Sequence, residues 1–384
     1  MDATELKQYR LKLFKAAMEL KKPDRTPHRS YYTTWVIFDA GYRLMEAIND
    51  YGKQEDAVRQ FYLKYHFDIM ATGALANYAI SHTLGTNWYN LDEEKDIVSC
   101  IDKPMCENYD EIREFINEPR KFIYEKWMPR KYQCFDNTLP AQKIKDTLKA
   151  RDAWLSASAK IGRLADEFGI PPMTRAMAPI TPLEHMINYY VGIKGMPILL
   201  RRDKELFKSF ADAIFDYACK PAFAMIDALP EGEDMTSAFD GHIMLLAHSL
   251  LSPKQFDEYY WPYIDKGIQS FVSKGKTVYI QLQAEGKRFL DYLNDIPKGK
   301  MCLHPEKDDI LEIKERFPNL CVMGGMPLQM LSHSTPAECV SQAKRVIDEI
   351  GSDGFILSQD RMGAYPNDTI SENLKAVCDF VQEY

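Results

Sequence analysis

The run Thr277-Val278-Tyr279-Ile280-Gln281-Leu282-Gln283 decides the fold. Apolar Val278, Ile280 and Leu282 alternate with Tyr279, Gln281 and Gln283, and a period of two sends the sets to opposite faces of a strand. Two glutamines closing a strand, followed at once by Ala284-Glu285-Gly286, read as side chains aimed into a cavity. Three more short strand-like runs follow, over residues 300–304, 320–323 and 354–358.

Between and after these runs the chain signals helix starts. Ser252-Pro253-Lys254-Gln255 supplies a cap residue, proline at the first helical position and glutamine three residues after the cap. Thr335-Pro336-Ala337-Glu338 repeats the pattern before a helix reaching 350, and Thr369-Ile370-Ser371-Glu372 opens the last helix. Strands alternating with helices of that size imply parallel βαβ units. With earlier strands expected around 169–177 and 234–239, the pattern favours a TIM (β/α)8 barrel over an open sheet.

Residues 1 to about 160 read as helical, with helices expected over 5–20, 31–48, 56–70, 109–116 and 119–127, the last stopped by Pro129. The organisation expected is therefore an N-terminal helical cap over 1–160 and the barrel over 161–384, the two forming one integrated domain. Tyr31, Tyr32, Trp35, Phe38, Tyr42, Phe61, Tyr62, Tyr65 and Phe67 crowd the first part. They suit either ordinary core packing or an aromatic wall over a site.

The bulk numbers exclude several classes. The 384 residues are 46% hydrophobic and 27% charged, the profile of a globular protein rather than a disordered one. A net charge of -8 without a basic block leaves no footprint for nucleic acid. No apolar run approaches the roughly 20 residues of a membrane helix. The start, Met1-Asp2-Ala3-Thr4-Glu5-Leu6-Lys7, lacks the basic and apolar regions of a signal peptide. The 8 cysteines contain no Cys-x-x-Cys pair, so the expectation is free thiols in a cytoplasmic protein.

Chemistry in such barrels sits at the C-terminal ends of the strands. The residues there include Asp240 and His242; Gln281, Gln283 and Glu285; Cys302, His304 and Glu306; Gly324 and Gly325; and Ser358, Gln359, Asp360 and Arg361. His304 and Glu306, two residues apart, suit acid–base work or a metal, and His304 equally suits a hydrogen bond to a neighbouring loop. Asp360 joins them as a catalytic candidate. Gln281 and Gln283, which do not titrate, suit a polar substrate through paired donors and acceptors, with Tyr279 and His242 as further substrate contacts. Gly324-Gly325 would let backbone approach a ligand closely.

Several segments carry a resemblance to the uroporphyrinogen decarboxylase superfamily. They are Lys22-Pro23-Asp24-Arg25-Thr26-Pro27, Glu107-Asn108-Tyr109-Asp110-Glu111, Leu251-Ser252-Pro253-Lys254-Gln255-Phe256 through Tyr260-Trp261-Pro262, Tyr292 to Lys300, Gly324-Gly325-Met326-Pro327, and Gly354 to Thr369. Within the superfamily the chain is most similar to corrinoid-dependent methyltransferases, above all the first methyltransferases of aromatic O-demethylase systems. The resemblance implies a TIM barrel with an N-terminal helical cap. It also implies transfer of methyl from a methoxyaromatic or methylated amine to the cobalt of a separate corrinoid protein, with zinc or another electrophile assisting. Thiol-activating relatives carry His-x-Cys where this chain has Gln281-Leu282-Gln283, and their later cysteine would fall near 360–363, where there is none. The O-demethylase type carries glutamate at Gln283 and histidine at His304. The presence of a metal is therefore open. Two other readings stay beside this one: a porphyrinogen decarboxylase, and a barrel that binds ligand without turnover.

Overall fold

The computed structural model describes residues 1–384 except 49, 71–80, 82, 83, 88, 136–139, 178–180, 230–235 and 352. Its strands are β1 (His28–Ser30), β2 (Ile69–Met70), β3 (Tyr89–Asp92), β4 (Ile97–Cys100), β5 (Thr174–Met177), β6 (Phe239–Leu245), β7 (Val278–Leu282), β8 (Met301–Pro305), β9 (Cys321–Met326) and β10 (Phe355–Gln359). Eight form one sheet in the order β2-β1-β10-β9-β8-β7-β6-β5, and each pair is parallel. From β5 to β10 each strand lies beside its predecessor in the chain, and β1 lies beside the last, so the sheet curls into a TIM-like α/β barrel. Among the described residues the seam falls between β2 and β5.

The helix starts behave as their chemistry demands. Ser252 with Gln255, and Thr335 with Glu338, form reciprocal capping boxes, each satisfying two backbone donors that a helix start leaves unpaired. The last helix, Ser371–Glu383, departs from expectation: Ile370 is at its cap position without a side-chain bond, while Thr369 Oγ1 pairs with Tyr32 Oη at 2.9 Å. The four strands expected at 277–358 are present to within a few residues. The strand expected around 234–239 is displaced: β6 starts at Phe239, where that strand was to finish, and residues 234 and 235 lie outside the described residues.

The region read as helical holds four strands. β1 and β2 are three and two residues long and buried on both faces, so neither carries an alternation to read. The helix expected over 56–70 runs over Tyr51–Lys64, capped by Asp50, and gives way to β2. β3 and β4 form an antiparallel hairpin closed through Asp92, whose carboxylate accepts from Lys95 N at 2.9 Å. Pro129 does not stop its helix. A π-helical turn over Ile123–Trp127 widens the backbone ahead of it, and helix resumes over Met128–Lys131.

The core has two shells. Val278, Ile280, Leu282, Leu303, Val322 and Leu357 face the surrounding helices. Tyr279, Cys302, Cys321, Met323, Ile356, Phe239 and Ile69 fill the barrel, together with Phe14, Ala17 and Met18 of the first helix, Ala3–Met18. The end of that helix meets Gly299 and Gly354, directly ahead of β8 and β10, with the Met18 carbonyl and the Leu20 side chain close to the two glycines. The helix thus plugs the N-terminal end of the barrel. All eight cysteines are free. Among the described residues no helix is long and apolar enough to cross a membrane.

Candidate active site

Above the apolar plug, alternation along the strands stacks a polar layer inside the barrel. β7 supplies Tyr279 and Gln281, with His242 of β6 beside Tyr279 and His304 of β8 beside Gln281 in register. β1 supplies Arg29, whose backbone registers with Ser358 of β10 and Ile69 of β2. The His242 and Tyr279 rings stack at 4.7 Å, and the Tyr31 and His304 rings meet edge-on at 5.4 Å. Gln281 Nε2 donates to the Tyr31 hydroxyl, joining β7 to the segment after β1.

His304 is buried, and both ring nitrogens are engaged. Nε2 lies 2.8 Å from the Gln359 carbonyl oxygen and Nδ1 lies 2.8 Å from Tyr279 Oη. A carbonyl only accepts, so Nε2 carries the proton; in the neutral ring Nδ1 then accepts from the tyrosine hydroxyl. Burial, and then the Arg29 charge, lower the His304 pKa to about 3. The same two causes in the same order bring His242 to about 4. Both are neutral at pH 7.

The two candidate carboxylates sit at the rim and brace loops. Glu306 Oε2 accepts from Ala284 N at 2.9 Å, holding the turn after β7 where Ala284 has a φ of 58°. Asp360 Oδ1 accepts from Leu328 N at 3.0 Å, and burial raises its pKa, with Glu306 adding to the effect. Gln283 follows the end of β7, and its backbone N donates to Leu245 O at 2.9 Å. Asp240 is near the start of β6, not at its mouth, because it binds Thr277 N at 2.8 Å and pairs with Arg175 at 3.2 Å. Of the glycine pair, Gly325 serves packing, since a Cβ there would meet Val346 at 2.7 Å, while a Cβ on Gly324 would lie 3.8 Å from His304 Cδ2. Arg361 is exposed.

Arg29 was not among the residues singled out for the site, and Tyr31 was named only within the aromatic cluster suited to core packing or to a wall over a site. Arg29 is 2% exposed, its guanidinium 3.9 Å from the Tyr31 ring centroid and 5.6 Å from that of Tyr279. Beyond that cluster, their sequence signal is the i, i+2 spacing after Pro27, hidden in a region read as helix.

The fit to zinc is poor. Tetrahedral zinc takes three good protein ligands and a water. Here His304 has both nitrogens in use, Gln281 and Gln283 are amides, and Glu306 and Asp360 each hold a backbone N–H. Among the described residues no three His, Cys, Asp or Glu side chains come together as a metal site.

The model of the family described as uroporphyrinogen decarboxylase (URO-D) matches residues 142–384, more than half of the chain. The chain belongs to the uroporphyrinogen decarboxylase family. Among solved structures, a methyltransferase from Methanosarcina mazei is similar over 97% of this chain and 98% of its own, at 13% identity and a TM-score of 0.60. That likeness is one of fold. No curated protein sequence matches the chain. The URO-D match takes in β5 to β10, and with them His242, Tyr279, Gln281, His304, Glu306 and Asp360; β1, with Arg29, lies outside it.

Proposed function

We propose that this URO-D family member is a methyltransferase moving methyl from a small methylated donor, a methoxyaromatic or methylated amine, to the cobalt of a corrinoid held by a partner protein. The observation that carries this reading is the inner layer itself: polar side chains above an apolar plug, Tyr279 bonded to His304 and Gln281 to Tyr31, with the Arg29 guanidinium against Tyr31, at the end where barrel enzymes do their chemistry. Family membership and the methyltransferase fold neighbour support it. An O-demethylase is the specific type proposed.

A corrinoid bound to the partner would supply a cobalt nucleophile for the methyl carbon. This chain must neutralise the charge left on the departing oxygen or nitrogen. Gln281 and Tyr279 orient the donor by hydrogen bonds, with His242 stacked behind Tyr279. His304, its N–H committed to Gln359, holds Tyr279 in place instead of giving up a proton. Asp360 is assigned as the acid for the leaving group, since its burial favours the protonated form. Glu306 holds the turn after β7 and biases Asp360 the same way.

The test is anaerobic mixing of the purified chain with a Co(I) corrinoid protein and a panel of methoxyaromatics and methylated amines. The visible spectrum reports methylation of cobalt. Methylation with one donor names the substrate, and a chelator in the same cuvette is expected to leave the rate unchanged. No methylation across the panel, with the protein folded, would move the weight to decarboxylation or to ligand binding without turnover.

A further inference from the structure

The helix Pro140–Glu167 spans 28 residues and turns one face to the core, where Ala150, Ala157, Ile161 and Leu164 are buried. A helix that covers a core needs one apolar stripe. This helix has a second. Ile144, Leu148 and Leu155 are 57%, 43% and 50% exposed. At about 100° per residue they fall within about 40° of one another, on the far side from the buried face. The C-terminal end of the helix is tied down, with Asp166 held by Lys7 of the plug helix at 2.7 Å. The stripe is therefore carried on a fixed element.

With Arg151 the stripe runs Ile144, Leu148, Arg151, Leu155, the four-three-four spacing of a coiled-coil seam. The charges decide what fits it. A parallel copy of the same helix would set Arg151 against Arg151 at one level and gain no ion pair. An antiparallel copy, with a two-fold axis between residues 149 and 150, sets Ile144 against the partner's Leu155 and Leu148 against the stem of the partner's Arg151. The same axis brings Lys145 to the partner's Asp152, and symmetry repeats the pair. Arg151 binds Asp152 within its own helix through Oδ1, which leaves the second oxygen for the incoming lysine. We propose that this stripe docks on the same stripe of a second copy of the chain, as an antiparallel two-helix seam. The apolar contacts supply the affinity, because exposed ion pairs contribute only about 0.2–1 kcal/mol each; the Lys145–Asp152 pairs set direction and register. A seam of this size is at the small end of specific interfaces, so association in the micromolar range is expected. Nothing in this pairing depends on the chemistry proposed above.

Sedimentation velocity of the full chain from about 1 to 100 µM tests the pairing. The parent is expected to pass from monomer to dimer across that range. Leu148→Asp, which puts a charge in the seam, should stay monomeric throughout. Lys145→Asp sets like charges face to face and should weaken the dimer at least about threefold. Adding Asp152→Lys to it restores both pairs with their signs exchanged, and should recover most of the loss. Circular dichroism checks that each variant folds; should Leu148→Asp not fold, the charge exchange decides. A parent still monomeric at the top of the range would overturn the proposal. So would a dimer that tolerates Leu148→Asp or Lys145→Asp, which places the contact elsewhere, or a double exchange no tighter than Lys145→Asp alone, which rules out the antiparallel register.

Discussion

Tyr279 gives its hydroxyl proton to Nδ1 of His304 across 2.8 Å, because the other histidine nitrogen faces a carbonyl that can only accept. The bond fixes the ring of one strand by the hydroxyl of the next, inside a barrel where neither reaches water. It also makes His304 a group that positions Tyr279 rather than one that titrates near neutral pH.

Removing that support should be felt in the rate. His304→Ala is expected to cut turnover at least about tenfold, about 1.4 kcal/mol of transition-state stabilisation. Tyr279→Phe, which keeps the ring and loses only the bond, should fall in the same direction. Steady-state rates on folded protein, checked by circular dichroism, measure both. Unchanged turnover in His304→Ala would remove the pair from the mechanism.

The part of the barrel legible in the sequence is the part with long, regular units. β7 shows its alternation because Tyr279 and Gln281 are polar on the inner face while Ile280 is apolar on the outer. The boxes at Ser252 and Thr335 are local chemistry and need no tertiary context. β1 and β2 were not legible, since two or three residues buried on both faces show no period. Arg29 was missed with them: an arginine reads as surface until the strand that turns it inward is known. His304 stood out by its place before Pro305, but its partners Tyr279 and Gln359 come from other strands and are set by barrel register, which spacing does not encode.

The bond from Gln281 to the Tyr31 hydroxyl ties the mouth of β7 to the segment after β1. Gln281→Leu removes it along with an amide proposed to hold the donor. A net hydrogen bond is worth about 0.5–1.5 kcal/mol, so the donor KM should rise roughly three- to tenfold with kcat little changed. A fall in kcat at constant KM would instead place Gln281 at the transition state, contrary to this prediction. Donor titrations at saturating corrinoid protein separate the two.

Stability should fall with acid well before the carboxylates titrate. Burial first, and charge from nearby arginines second for His242 and His304, bring His242 to about 4 and His304 to about 3, and burial brings His28 to about 3. These folded values lie below the value near 6.5 of an unfolded histidine, so the unfolded chain takes up protons first. The stabilisation is complete above about pH 6.5 and is lost as pH falls toward 4 and 3, at up to about 1.4 kcal/mol per pH unit for each group. Urea midpoints at pH 7 and pH 5 should differ clearly, and His28→Leu, which removes a ring packed 4.4 Å from Phe67, should shrink the difference. Equal midpoints at the two pH values would show that these rings are not held neutral by the fold.

Asp68 locks the plugged end, and its loss should cost stability without touching the chemistry. Its carboxylate has no exposed surface and accepts from Arg25 Nη1 at 2.8 Å, Arg25 Nη2 at 2.6 Å and His28 N at 2.8 Å, with Arg10 Nε at 3.6 Å. Arg10 belongs to the first helix and also binds the carbonyls of Phe168 and Gly169, at 2.7 and 2.8 Å. One carboxylate therefore joins the plug helix, the start of β1 and the start of β2. Asp68→Ala strands two guanidiniums with little access to water, and breaking a buried pair from one side costs about 3–5 kcal/mol. The denaturant midpoint should drop accordingly, while turnover per folded molecule stays near the parent value because Asp68 touches none of Tyr279, Gln281 or His304. A variant as stable as the parent would mean that water or a rearranged side chain replaces the carboxylate, and that the plug is held by Phe14 and Met18 alone.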